Sequence, residues 1–169
     1  MDTTPLRDAY RALLDAAATV ADSGDPSPVP PTGEWNADEI LAHIAIVGAG
    51  AIAAVSSVAT GTIATYDNRL AHDTWTLDRV FTLAGGNTGI RERIRVQGEA
   101  LCALSGPTLS ETELDTPMPT VLLSHDAALV DRPVPLRDLL TGLAEAELPG
   151  HTRQLLALLP ARAALEGGA

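Results

Sequence analysis

The chain has 169 residues, 22 of them acidic and 11 basic, for a formal net charge of −11; it is 46% hydrophobic but only 3% aromatic. That length suits one domain spanning 1–169, with a single core built mostly from Ala, Leu, Val and Ile. So acidic a surface argues against a nucleic-acid partner, because phosphate binding needs concentrated positive charge.

Residues 5–21 read as a first amphipathic helix. Thr4 is placed to cap it, Pro5 suits the first helical position, and Leu6, Tyr10, Leu13, Leu14, Ala17 and Val20 fall on one stripe. The segment SGDPSPVPPTG (23–33) then reads as a stiff linker. A second helix starts at Asn36, with Glu39 three residues on as a capping box requires, and extends to about Thr60. Between Ile40 and Tyr66 there is no Asp, Glu, Lys or Arg. The run is long enough to span a bilayer, but it is flanked by Asp38, Glu39 and Asp67 rather than by basic anchors, and Gly, Ser and Thr dilute it. The expectation is a central helix covered by its neighbours, with no membrane partner. Its one strongly polar ring in the first half is His43.

A short helix near Trp75–Leu83 and a third long one from about Asn87 to Leu104 follow, the latter with Ile90, Ile94, Gln97, Leu101 and Leu104 along its inner side. Residues 108–134 read as a short extended pair or a packed loop. A last helical region begins near Pro135, and Pro149 should kink or restart it. The tail LEGGA reads as frayed. The fold class expected is all-α: a four-helix bundle with long connections after helices 2 and 3.

Four histidines are available for chemistry: His43, His72, His125 and His151. Glu147 and His151 are four apart and share a helix face if the helix persists through Pro149. Inward-facing His and Glu on neighbouring helices are how bundles build metal sites, and two imidazoles with one carboxylate suit zinc while leaving positions for a further ligand. Nickel or iron accept the same set. The bland alternative keeps Glu147 solvated on an acidic face and His151 as a capping or packing residue. Cys102, the lone cysteine, excludes an internal disulfide, reads as a small core residue and fits a reducing cytoplasm. Ser124-His125-Asp126 contains hydrolase residue types, but sequence neighbours do not make a triad. His72-Asp73 would replace a ligand only if Glu147 pointed away. The acidic, polar start MDTTPLRDAY carries no expectation of a secretory leader. Abundant Ala, Arg, Pro and Gly with little Lys suggests a GC-rich genome, such as an actinobacterial one.

Two motifs carry a resemblance. WNADEILAHI (Trp35–Ile44) resembles the second-helix motif of the DinB-like superfamily, where a Trp precedes the helix bearing the first metal histidine. HTRQL (151–155) is similar to that superfamily's H-R-G-Q-L segment, whose leading His is another ligand. Most members place His four residues earlier; the mycothiol-dependent maleylpyruvate isomerase branch places Glu, and Glu147 stands there in this chain. The resemblance implies His43, Glu147 and His151 as ligands of one divalent metal, zinc first. It implies a transferase or isomerase using a low-molecular-weight thiol, mycothiol for such a genome, activated as a metal-bound thiolate toward an electrophilic substrate. It also implies a cytoplasmic homodimer. Pro149 and Gly150 between the ligands depart from the pattern, as does the missing C-terminal region typical of maleylpyruvate isomerases, so that particular activity is not carried over. The alternative is a non-catalytic DinB-fold binding or stress-associated protein, its metal structural or absent.

Overall fold

The computed structural model describes residues 1–24, 29–30, 33–124 and 127–159. Parts of the 23–33 linker, His125-Asp126 and the LEGGA tail lie outside the described residues. The chain is mostly helical. Helix α1 (Thr4–Asp22) buries Leu6, Tyr10, Leu13, Ala17 and Val20, the stripe read from sequence, although its cap is Thr3 rather than Thr4. The first free amide is satisfied instead by Asp2, whose Oδ1 accepts from Thr4 N–H at 2.9 Å.

Helix α2 (Ala37–Ala59) begins at the expected capping box. Asn36 Oδ1 accepts from Glu39 N–H, and Glu39 Oε2 accepts from Asn36 N–H, both at 2.9 Å. Two of the helix's unpaired amides are thereby satisfied where the chain enters the core. It is the one helix among the described residues long and apolar enough to cross a membrane, and 61% of its apolar window is buried inside the fold. The covering comes from α4 (Gly86–Ser105) and α3 (Thr74–Ala84), while α1 packs against α7 and α4. Helices approach closely where they carry glycine: a Cβ on Gly98 would stand 2.9 Å from the Tyr10 ring. Between α3 and α4, Gly85 and Gly86 take φ of +87° and +80°, a left-handed pair that reverses the chain.

Two small sheets occupy the connections of this mostly helical chain, more strand than the single extended pair expected. β1 (Tyr66–Asp67) runs parallel to β3 (Thr120–Ser124), and β3 pairs antiparallel with β4 (Ala127–Asp131). β2 (Pro117–Met118) pairs with β5 (Val134–Pro135). The first sheet includes the extended pair read at TVLLSHDAALV. A 3-10 turn (Arg69–His72) joins β1 to α3, and a one-turn helix, α5 (Glu111–Leu114), precedes β2.

The last helical stretch changes register just before Pro149, which falls in the first turn of a new α-helical segment. Helix α6 (Leu136–Gly142) passes through a π-turn (Leu143–Glu147) into α7 (Leu148–Ala157) with helical backbone angles throughout. Leu148 N–H donates to the Leu143 carbonyl five residues back. Proline thus falls where the hydrogen-bond register changes, and its missing amide costs the ladder less there than in a regular helix.

Candidate metal centre and its cavity

The polar centre of α2 is His43, 1% exposed among Leu and Ile side chains. Such a ring needs partners for both nitrogens. Its Nδ1 lies 2.8 Å from the Ala71 carbonyl, supplied by the 3-10 turn. Its Nε2 lies 2.9 Å from Glu147 Oε1, supplied by the π-turn. One helical turn on, His151 Nε2 stands 3.4 Å from the same oxygen, and His151 Nδ1 is 2.6 Å from Gln154 Oε1. The ligand-capable atoms of His43, Glu147 and His151 lie within 4.8 Å of one another. Three elements distant in sequence therefore bring together the three residues singled out from spacing and resemblance.

The hydrogen bonds fix proton positions. A carbonyl oxygen only accepts, so Nδ1 of each histidine carries the hydrogen, donated to Ala71 or to Gln154. In the neutral rings both Nε2 lone pairs then aim at a carboxylate oxygen, acceptor against acceptor. A cation resolves this arrangement: a proton on a ring, or a metal ion bound by all three groups. Arms of about 2.1 Å from a tetrahedral zinc set ligand atoms roughly 3.4 Å apart; the His151–Glu147 pair matches at 3.4 Å, the His43–Glu147 pair at 2.9 Å would open, and the widest separation, up to 4.8 Å, would close around an ion. Histidine ligands held by a carbonyl through the far nitrogen are also the usual supporting arrangement around metals. The residues fit the group. Burial pushes the Glu147 carboxyl up, but hydrogen bonds from His151 and His43 and the charge of the two rings outweigh it and hold it well below the usual carboxylate range.

Trp35 lies against the histidines, its ring centroid 4.7 Å from His43 and 6.1 Å, near-parallel, from His151. His72 joins the same aromatic cluster, 5.3 Å from His43. It stands outside the ligand trio and does not replace Glu147. Its Nε2 accepts from Asn68 Nδ2 at 3.2 Å, and Asn68 is itself tied to the backbone of Leu123 by two hydrogen bonds, of 2.8 and 3.1 Å. Asp73 is a cap, accepting from Thr76 N–H at the start of α3. Cys102 is buried in the core, and burial pushes its thiol up. Ser124 lines the cavity; its neighbours His125 and Asp126 lie outside the described residues.

The trio forms one wall of a cavity of about 640 Å³, whose other walls include Trp35, Tyr66, Leu122, Leu139 and Arg132. Burial, and then the negative charge of Glu147, push the Tyr66 phenol above its ordinary value, so it is a neutral hydroxyl. Tyr66, Asn68 and Gln154 were not picked out from sequence. The signal for two of them was local: Asn68 stands four before His72, and Gln154 three after His151. Tyr66 left no such trace.

No protein-family model, curated protein or solved structure matches this chain.

Proposed function

We propose that the chain is a divalent-metal-dependent transferase or isomerase in which a low-molecular-weight thiol, mycothiol for this composition, attacks a small electrophile. The frame is a DinB-like four-helix bundle of α1, α2, α4 and the α6–α7 rod. One observation carries the reading: two histidines with their far nitrogens spent on carbonyl oxygens aim both near nitrogens at one carboxylate oxygen, in the wall of a cavity large enough for a thiol and a small substrate. His43, Glu147 and His151 would hold the ion, zinc first and nickel or iron by the same donors. When bound, the ion supplies positive charge that lowers the pKa of a thiol beside it. The chain supplies the rest. Trp35 and the leucines of the walls exclude water, and fixed elements hold both reactants in one cavity, replacing a bimolecular encounter. Cys102, buried in the core, offers no competing nucleophile. The burial of α2 supports a core helix, and we read the protein as cytoplasmic, without a membrane partner.

The second reading is a DinB-fold binding or stress-associated protein without catalysis. What favours it is that Glu147 already bonds His43 at 2.9 Å, so a protonated ring alone would close the cluster. Metal analysis of tag-free protein separates the two. The first reading expects close to one divalent ion per chain in the wild type, most of it lost in His43→Ala, and a sulfur-to-cobalt charge-transfer band when mycothiol meets the cobalt-substituted protein. Equal metal content in wild type and variant refutes the ligand assignment. Full loading with no spectral response to any thiol favours the non-catalytic reading.

A further inference from the structure

An α-helix turns by about 100° per residue, so the phase of its buried side chains shows whether it runs unbroken. Leu136 and Leu140 of α6 and Leu148 and Leu155 of α7 are all buried in one core. On an unbroken helix Leu148 and Leu155 would stand about 120° and about 100° round from Leu136, off its stripe. Taking one residue out of the count brings them to about 20° and about 0°, and all four leucines line up. The π-turn at Leu143–Glu147 absorbs that residue: Leu148 N–H donates to the Leu143 carbonyl, one position further back than in an α-helix.

The same step aims the carboxylate. On an unbroken helix Glu147 would fall about 20° from Leu136, among the leucines of the core. Within the widened turn it lines the cavity instead, its side chain 38% exposed and Oε1 2.9 Å from His43 Nε2 and 3.4 Å from His151 Nε2. The leucines require one extra residue between Leu140 and Leu148, but they do not say where. Pro149 does. An α-turn closing on a proline lacks its amide donor, and the ring meets the carbonyl four residues back, here Glu145. The widening is therefore held in the turn that runs up to Pro149, where Glu147 sits.

Resting on the metal-centre reading, we propose that Pro149 is a positioning residue for that centre: by barring an α-turn onto Glu145 it holds the π-turn at Glu147 and turns that carboxylate toward His43. Given an amide at position 149, Glu145 regains an α-helical partner, Leu148 N–H passes to Ala144, and the wide turn slides toward α6. Glu147 then joins α7 and swings away by up to one residue step, about 100°, while the four leucines keep their phase. Gly150, the other residue that departs from the pattern, has no such part. Among the described residues an added Cβ there would meet nothing nearer than the Arg153 guanidinium, 4.0 Å away.

Pro149→Ala and Gly150→Ala test this as a pair, because each puts the best helix former into the same turn. Zinc affinity is measured by chelator competition and stability by thermal melting. In metal-free protein, NMR reads the scalar coupling across the Leu148 N–H···O=C hydrogen bond and the ring-nitrogen shifts of His43, which report the carboxylate facing Nε2. For Pro149→Ala the expected zinc affinity is about 10-fold weaker, with the melting temperature at or above wild type. The coupling should move from Leu143 to Ala144, and the His43 shifts should change with it. Gly150→Ala should keep its affinity within about twofold of wild type. Unchanged affinity in Pro149→Ala, a coupling that stays at Leu143, an affinity loss that comes with a lowered melting temperature, or an equal loss in Gly150→Ala overturns the proposal. If wild type binds no zinc, the metal reading fails by itself. Pro149 is then upheld if the metal-free coupling and the His43 shifts both change, and removed if either does not.

Discussion

At the scale of single residues the candidate centre depends on groups one bond removed from it. His151 keeps its ring orientation because Gln154, one turn along α7, receives the Nδ1 hydrogen at 2.6 Å. His43 is oriented by a backbone carbonyl, which substitution of a side chain cannot delete. The two histidines therefore differ in how vulnerable they are. Gln154→Ala should weaken divalent-metal affinity by about 10- to 100-fold with the helical circular-dichroism signal unchanged. Affinity equal to wild type, measured by chelator competition, would mean that packing against Trp35 alone orients the ring. Sequence pattern reached the trio because Glu147 and His151 share a helical spacing and His43 interrupts an apolar run. It did not reach Tyr66, which is placed by pairing with strand β3 more than fifty residues away in the chain, and Asn68 left only its spacing to His72, its bonds to Leu123 being equally distant.

At the scale of elements, the long helices were legible and the connections were not. A 23-residue helix with a capping box announces itself through periodicity and end signals. Strands of two residues such as β1 and β2 leave no periodic trace, and their pairing is set by tertiary contacts. Pro149 marked where the helix changes register, but no local rule foretells the π-turn that precedes it. The connections have stability signals of their own. Asp73 caps α3, and its bonds from Thr76, side chain first and then backbone, hold its carboxyl below the ordinary aspartate range. A carboxyl lowered on folding contributes stability above its unfolded pKa, and the contribution fades as pH falls through the folded value. Asp73→Asn cannot ionise there. Its melting temperature should therefore lie below wild type at pH 7, with the gap closing as pH falls below about 4. A gap that stays constant across that range would show that the cap acts through geometry alone.

At the scale of the molecule, the core is mostly aliphatic, and its apolar helix is covered on several sides by its neighbours. Surface is a different matter. Leu70, Trp75 and Leu83, on the adjoining 3-10 turn and α3, are 66%, 73% and 60% exposed. Together with the resemblance to DinB-like proteins, this apolar surface leads us to expect a twofold homodimer, the commonest closed symmetry. Light scattering should return twice the 17.5 kDa chain mass, and Trp75→Asp should lower it toward one chain. A wild type that stays at the single-chain mass at high concentration removes the dimer. None of this was visible in charge alone, since a net −11 favours separation.

The position of Trp35 gives the protein an optical reporter of its own state. The chain holds two tryptophans: one stacked among the histidines, the other on the outer surface of α3. Their emission should differ in colour, the enclosed indole blue and the wet one red. Open-shell ions such as cobalt or copper quench an excited indole at contact distance, whereas zinc, with a filled shell, does not. In a Trp75→Phe background, titration with cobalt should extinguish the blue band in step with occupancy, and zinc added afterwards should restore it as it displaces the cobalt. The one aromatic residue that heads α2 would then report, without a label, whether His43 has found its ion.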